Sequence, residues 1–111
     1  MDTLDKKYYK IREVAEILEI PASTLRFWES KFTVVKPIRN KGGQRLYTPA
    51  DIEKIRMIYF LVKEKGLKLD AAQESLRQNA AGVSRRYEAV RRLREIRARI
   101  LSLREAMGRL K

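Results

Sequence analysis

The sequence predicts a mostly α-helical chain with one small β-hairpin set among the helices and a single long helix at the C-terminal end. Three observations carry this. Two short helical stretches meet at a tight break beside Pro21. A segment between Ser30 and Ala50 holds extended-chain residues, a glycine pair and no acidic residue. From Ala89 to Leu110 the apolar residues keep an alternating four-three spacing. The 111 residues suffice for one compact domain, or for a smaller one plus an extension. The expected division is residues 1–82 and residues 83–111.

Met1 to Lys7 is polar, as a loose terminus would be. Tyr8 and Tyr9 are placed to pin the first helix by packing. In that helix Ile11, Val14, Ala15 and Leu18 fall on one face of a 3.6-residue period. Pro21 cannot continue it, lacking a backbone N–H, but suits the first turn of the next. The second helix sets Leu25, Trp28 and Phe32 on one side and Ser23, Arg26 and Ser30 on the other. A pair of core helices has the same apolar pattern. A helix-turn-helix adds a face of hydroxyls and an arginine.

Thr33 to Tyr47 is expected to form a β-hairpin. Val34 and Val35 favour extended chain, Pro37 suits an edge strand, and Asn40-Lys41-Gly42-Gly43 is a turn cluster. Lys31, Lys36, Arg39, Lys41 and Arg45 are its basic residues. They make either a solvated loop or a wing that straddles phosphates. Thr48-Pro49-Ala50-Asp51 then has the composition of a capping box with proline at the first helical position. Ile52, Ile55, Tyr59 and Val62 are the expected core face of that helix, and Gly66 its stop. A shorter helix from about Leu69 to Gln78 is expected to bury Leu69, Ala72 and Leu76. Asn79-Ala80-Ala81-Gly82 resembles a break before the last helix.

In that helix Ala89, Leu93, Ile96, Ile100, Leu103, Met107 and Leu110 trace the a and d positions of about three heptads, enough for a coiled coil. Its e and g flanks include Arg92, Arg97, Arg99, Arg104 and Lys111, all basic. Glu88–Arg92, Glu95–Arg99 and Glu105–Arg109 have the spacing of favourable pairs within the helix. A dimer seam with solvated arginines accounts for the pattern. A basic amphipathic helix on a membrane surface, or one that holds phosphates or an acidic partner, also fits it.

Charge narrows the class. The chain has 26 basic and 14 acidic residues, net +12, a reason to expect a polyanionic partner. The surplus is +4 over residues 1–49, +1 over 50–82 and +7 over 83–111. With no cysteine and no histidine, disulfides, thiolate sites and imidazole metal sites are excluded. An enzyme would need a carboxylate pair or an activated lysine, and the acids are scattered on helix surfaces. No glycine-rich nucleotide loop is present. The expectation is therefore a non-enzyme without cofactor or metal. No apolar run has the length of a membrane span, and no signal-peptide core is seen. A soluble cytoplasmic protein is the expectation.

Thr24-Leu25-Arg26-Phe27-Trp28-Glu29 is similar to the motif T-L-R-[FY]-Y-E of the MerR family of bacterial transcription regulators. Arg39, Gly43, Arg45 and Tyr47 are similar to its wing motif R-x-x-x-G-x-R-x-Y. Thr48 and Asp51-Ile52 are similar to the family's Y-[ST]-x-x-D-[LI], and Lys65-Gly66-Leu67 to its G-[FLM] turn. The resemblance covers about Tyr8 to Leu76. It implies a winged helix-turn-helix DNA-binding domain and, after it, a long coiled-coil dimerisation helix. It also implies a homodimer joined by antiparallel pairing of that helix, with Leu93, Ile96, Ile100, Leu103, Met107 and Leu110 at the junction. Family members bind promoter DNA with an overlong spacer and distort it for RNA polymerase, which is the further partner implied.

Position by position, Ser23, Arg26 and Trp28 match recognition-helix contacts, and Arg39, Arg45 and Tyr47 match wing contacts. Thr24, Lys41 and Gly43 complete the candidate DNA-binding set. There are departures. Trp28 replaces a tyrosine whose hydroxyl would meet a phosphate. Its indole N–H can donate, but it also lies on the Leu25 face, so contact and core roles both stand. Gln44 replaces the usual wing tyrosine, and Lys68 a capping Ser or Thr. The sensor cysteines and appended effector domain of many members are missing. The chain resembles the short members, or a fragment of a longer protein. Two other functions are compatible: a DNA-architectural or excisionase-like recombination accessory protein, and a coiled-coil adaptor using the arginine-rich helix.

Overall fold

The computed structural model describes residues 5–110. The elements run β1 (Tyr9–Lys10), α1 (Ile11–Leu18), α2 (Ala22–Glu29), β2 (Ile38–Arg39), β3 (Arg45–Tyr47), α3 (Pro49–Lys65), α4 (Leu69–Gln78) and α5 (Ala80–Gly108). They fall into two compact units, Met1–Gln78 and Asn79–Lys111.

In the first unit, α1 and α2 pack on each other, and α4 packs on α3. The break between α1 and α2 is made at Glu19 rather than at the proline. Glu19 takes a left-handed conformation, φ 56°, and Ile20 N–H then closes on Ala15 O at 3.1 Å. Pro21 precedes the first helical residue instead of occupying it, and its carbonyl accepts from Thr24 N–H and Leu25 N–H at 3.0 and 3.2 Å.

The sheet has three strands in the order β1-β3-β2, both pairings antiparallel. Tyr9 lies opposite Tyr47, and Lys10 opposite Leu46. On the other edge Ile38 lies opposite Leu46, and Arg39 opposite Arg45. The hairpin is therefore shorter than expected and β1 is an addition to it. Val34 and Val35 are not in a strand. The N–H groups of Thr33 and Val34 are bound by the side chain of Gln73, at 2.6 and 3.3 Å, and so take no part in a ladder.

The Thr48 start of α3 is as the residues require. Thr48 Oγ1 accepts from Asp51 N–H at 3.2 Å, and Asp51 Oδ2 accepts from Thr48 N–H at 3.0 Å. Gly66 ends the helix at φ 69°. Burial along α3 runs through Ile52, Ile55, Ile58 and Leu61, with Met57 and Phe60 beside them. The stripe is wider than the expected one, and Tyr59 and Val62 sit half-buried on its border. In α4, Ala72, Gln73 and Leu76 are buried while Leu69 is half-buried.

The second unit is α5. The stretch expected as a break, Asn79 to Gly82, is its cap and first turn. Asn79 Oδ1 accepts from Gly82 N–H at 3.1 Å, and a Cβ on Gly82 would stand 2.2 Å from Asn79 Nδ2. Twenty-nine helical residues span roughly 43 Å. Leu93, Ile96, Ile100, Leu103, Met107 and Leu110 are all between 54% and 85% exposed. Lys111, named among the flanking charges, lies outside the described residues. Among those described, no helix is long and apolar enough to cross a membrane.

Candidate nucleic-acid interface

Helix α2 has a buried and an open side. Leu25 and Trp28 are buried. Ser23 and Arg26 are exposed, Thr24 is half-buried, and Phe27 is 62% exposed. Lys31 Nζ stands 5.2 Å from the centre of the Phe27 ring, a cation–π contact on the surface. Phe27 is absent from the expected contact set. Its place in the motif does not distinguish it from an apolar core residue. Only its orientation does.

Trp28 is 6% exposed, with ring centroids 5.9 Å from Tyr59 and 6.4 Å from Phe32. The expected alternatives for Trp28 are thereby decided in favour of the core. An indole held between two aromatic neighbours cannot swing to a phosphate without opening the α2–α3 packing.

The hairpin turn is shaped by Asn40 and Gly43. Gly43 N–H donates to Asn40 O at 3.0 Å, and Asn40 Oδ1 accepts from Gly42 N–H and Gln44 N–H at 3.0 and 2.9 Å. Gly43 has φ 79°, the left-handed position that comes after a type I turn in three-residue hairpin loops. This closure leaves Arg39, Lys41 and Gly43 exposed. The Arg39 guanidinium donates to Gly43 O at 3.2 Å and remains on the surface.

Arg45 and Tyr47 behave differently. Tyr47 is 1% exposed, and its hydroxyl donates to the Glu29 carboxylate at the end of α2. Burial, with the hydrogen bond to Glu29 second, pushes the Tyr47 phenol well above its ordinary range. Arg45 donates to Glu29 O at 3.0 Å and lies 3.7 Å from its carboxylate. These two residues, expected as DNA contacts, instead fasten β3 to α2. Tyr47 has no surface to offer a phosphate. Arg45 is partly open but has part of its donor set committed.

A second fastening lies outside the expected set. Gln73 of α4 is 1% exposed and carries four hydrogen bonds to the segment joining α2 to the hairpin. Its Oε1 accepts from Thr33 N–H, Thr33 Oγ1 and Val34 N–H, and its Nε2 donates to Lys31 O at 3.0 Å. A glutamine in an amphipathic helix looks like a surface residue, so the sequence carries no signal for it.

Arg26 also borders an open cleft of ≈ 420 Å³ with Lys6, Lys10, Arg12, Glu13 and the hairpin residue Gln44. The start of α1, the open side of α2 and the hairpin turn are thus brought together by basic residues. Glu13 is the acid among them. Its carboxyl is held below the usual range, first by the Lys10 N–H and then by its contact with Lys6. Lys10 and Arg12 are exposed and join the candidate interface, although their own stretch of sequence is an ordinary mixed-charge one. An exposed cationic surface with one hydroxyl and one aromatic ring can bind phosphates and touch base edges. Among the described residues, no group of three or more acids is gathered to hold a metal ion.

Comparison with known proteins places this geometry. The MlrA transcriptional regulator of Escherichia coli is 46% identical over 50 residues, which cover 45% of this chain and 21% of that protein. The chain therefore matches about a fifth of MlrA. The ZntR transcriptional regulator of Escherichia coli is 29% identical over 105 residues, covering 86% of this chain and 70% of ZntR. Among solved structures, HiNmlR, a MerR family regulator lacking the sensor domain and bound to promoter DNA, has the same fold. Its TM-score is 0.55 at 21% identity, over 91% of this chain and 79% of that one. The family model described as MerR HTH family regulatory protein matches residues 9–79, more than half of the chain. The protein belongs to the MerR family.

Proposed function

We propose that the protein is a sequence-specific, DNA-binding transcription regulator that acts on promoter DNA as a homodimer in the cytoplasm. Helix α2 enters the major groove with Ser23, Thr24, Arg26 and Phe27 towards the bases. Arg39, Lys41 and the Gly43 backbone meet phosphates beside it, and Lys10 and Arg12 neutralise the strand next to Arg26. Trp28, Arg45 and Tyr47 set the angle between helix and hairpin. Two copies pair antiparallel through Leu93, Ile96, Ile100, Leu103, Met107 and Leu110, so that two half-sites are read by one assembly. Residues 1–82 form the DNA-binding part and 83–111 the pairing part. The bound dimer distorts the promoter so that RNA polymerase can use it.

The observation that carries this proposal is the open side of α2. An arginine, a hydroxyl and an aromatic ring stand exposed there, beside an acid-free hairpin. The promoter-bound state of HiNmlR supports the same use of this fold. Selection of genomic fragments by the purified protein tests it. The expected result is a palindromic motif lying in promoter spacers. Fragments without a common motif, bound with an affinity that vanishes at modest salt, would overturn it.

A further inference from the structure

Helix α5 has an apolar stripe left open and two edges of a single charge. Leu93, Ile100 and Met107 take heptad position a, and Ile96, Leu103 and Leu110 take d, all exposed. Arg92 and Arg99 fall at g, and Arg97 and Arg104 at e. The acids of the helix lie elsewhere, at c and f. Glu88 and Glu95 meet Arg91 at 2.9 and 3.2 Å, and Glu105 meets Arg109 at 3.6 Å. Among the described residues, the four flanking arginines have no acidic partner.

Positions e and g choose the partner of a coiled coil. Antiparallel pairing brings e towards e and g towards g, and parallel pairing brings g towards e. In either arrangement a second copy sets arginine near arginine. The stripe favours self-pairing while its edges oppose it. A helix with the same apolar seam but glutamate or aspartate at e and g would satisfy both.

We propose that α5 exchanges its second copy for such an acidic-flanked helix, and that this exchange regulates the protein. The inference rests on the pairing role proposed for α5 in the homodimer. The exchanged complex holds one copy of the chain, and therefore one α2, in place of two. It covers the same stripe and loses the second half-site contact.

The test uses the full chain and three synthetic helical peptides of about four heptads. One has Leu and Ile at a and d with Glu at e and g. The second has the same seam with Lys at e and g. The third has the composition of the first in an order that destroys the seam. The expected result is a 1:1 complex with the Glu-flanked peptide, seen by sedimentation, with loss of the homodimer. Its affinity should exceed that for the Lys-flanked peptide by on the order of tenfold or more, since four exposed charge contacts change sign. Salt should weaken it. A chain carrying Arg92→Glu, Arg97→Glu, Arg99→Glu and Arg104→Glu should reverse the preference.

Equal affinity for the Glu- and Lys-flanked peptides would overturn the proposal. So would equal binding of the seamless acidic peptide, which would make the interaction simple polyanion attraction. A homodimer that persists in excess Glu-flanked peptide would also overturn it while leaving the homodimer standing. A free chain that sediments as a monomer yet binds that peptide 1:1 would refute the homodimer and with it the exchange.

Discussion

Arg26 stands exposed on the open side of α2 at the rim of the basic cleft, while Leu25 and Trp28 of its motif turn inward. Arg26→Ala should therefore weaken operator binding by about 1–3 kcal/mol and random-sequence binding by less. Titration of both DNAs measures this, and an equal loss on each would make Arg26 a phosphate contact. Tyr47 calls for a different measurement. Its phenol is raised by burial and by Glu29, from an ordinary value of 10.0. A raised folded value gives stability that is complete below the unfolded value and lost as pH climbs beyond it. Urea midpoints should therefore fall from about pH 10 upward, and Tyr47→Phe should make that fall shallower. An identical pH profile in the variant would remove Glu29 and burial as its cause. Residue types are readable from the motif here, but their directions are not. Phe27 and Trp28 are adjacent aromatics, and tertiary contact alone separates the open ring from the buried one.

At the scale of elements, whatever is written locally is readable. The Thr48–Asp51 cap and Gly66 set the ends of α3 because a cap is a contact between near neighbours in the chain. β1 escapes because two residues carry no period, and Gln73 because its partners lie about forty residues away. The hairpin divides into two kinds of arginine. Arg39→Ala and Lys41→Ala should each lower the log–log salt slope of DNA binding by about 0.9, the share of one phosphate. Arg45→Ala should leave the slope nearer its original value and cost affinity through loosened β3–α2 geometry. Equal slope changes in all three would return Arg45 to the contact set. The α1–α2 break carries its own strain, since Glu19 holds a positive φ that glycine adopts freely. Glu19→Gly should raise thermal stability, by about 0.5–1 kcal/mol once the added freedom of the unfolded chain is deducted. An unchanged or lower melting temperature would show that Glu19 makes a compensating contact.

The whole molecule depends on α5, whose seam is readable from spacing because a heptad repeat needs no tertiary information. The partner that covers that seam is a property of assembly, and one copy shows it only through the charges on its edges. Truncating a buried Ile typically costs about 2–5 kcal/mol, and in a homodimer each change occurs twice. Ile100→Asp should therefore leave a folded monomer that has lost most of its operator affinity, because two linked half-sites gain through effective concentration. Sedimentation and DNA titration of the same preparation check both halves. The arginine edges add a signed expectation: salt should strengthen dimerisation while weakening DNA binding. A dimer that loosens with salt would refute repulsion across the seam.

The Gln73 fastening has a consequence in time. The chain is made from its N-terminus, so α2 and the hairpin leave the ribosome before the residue that holds the segment between them. At about 5–20 residues per second, Gln73 emerges a few seconds after Val34. During that interval the N–H groups of Thr33 and Val34 and the Lys31 carbonyl have only water as partner. A newborn chain therefore has its basic hairpin before the segment that joins the hairpin to α2 is fastened.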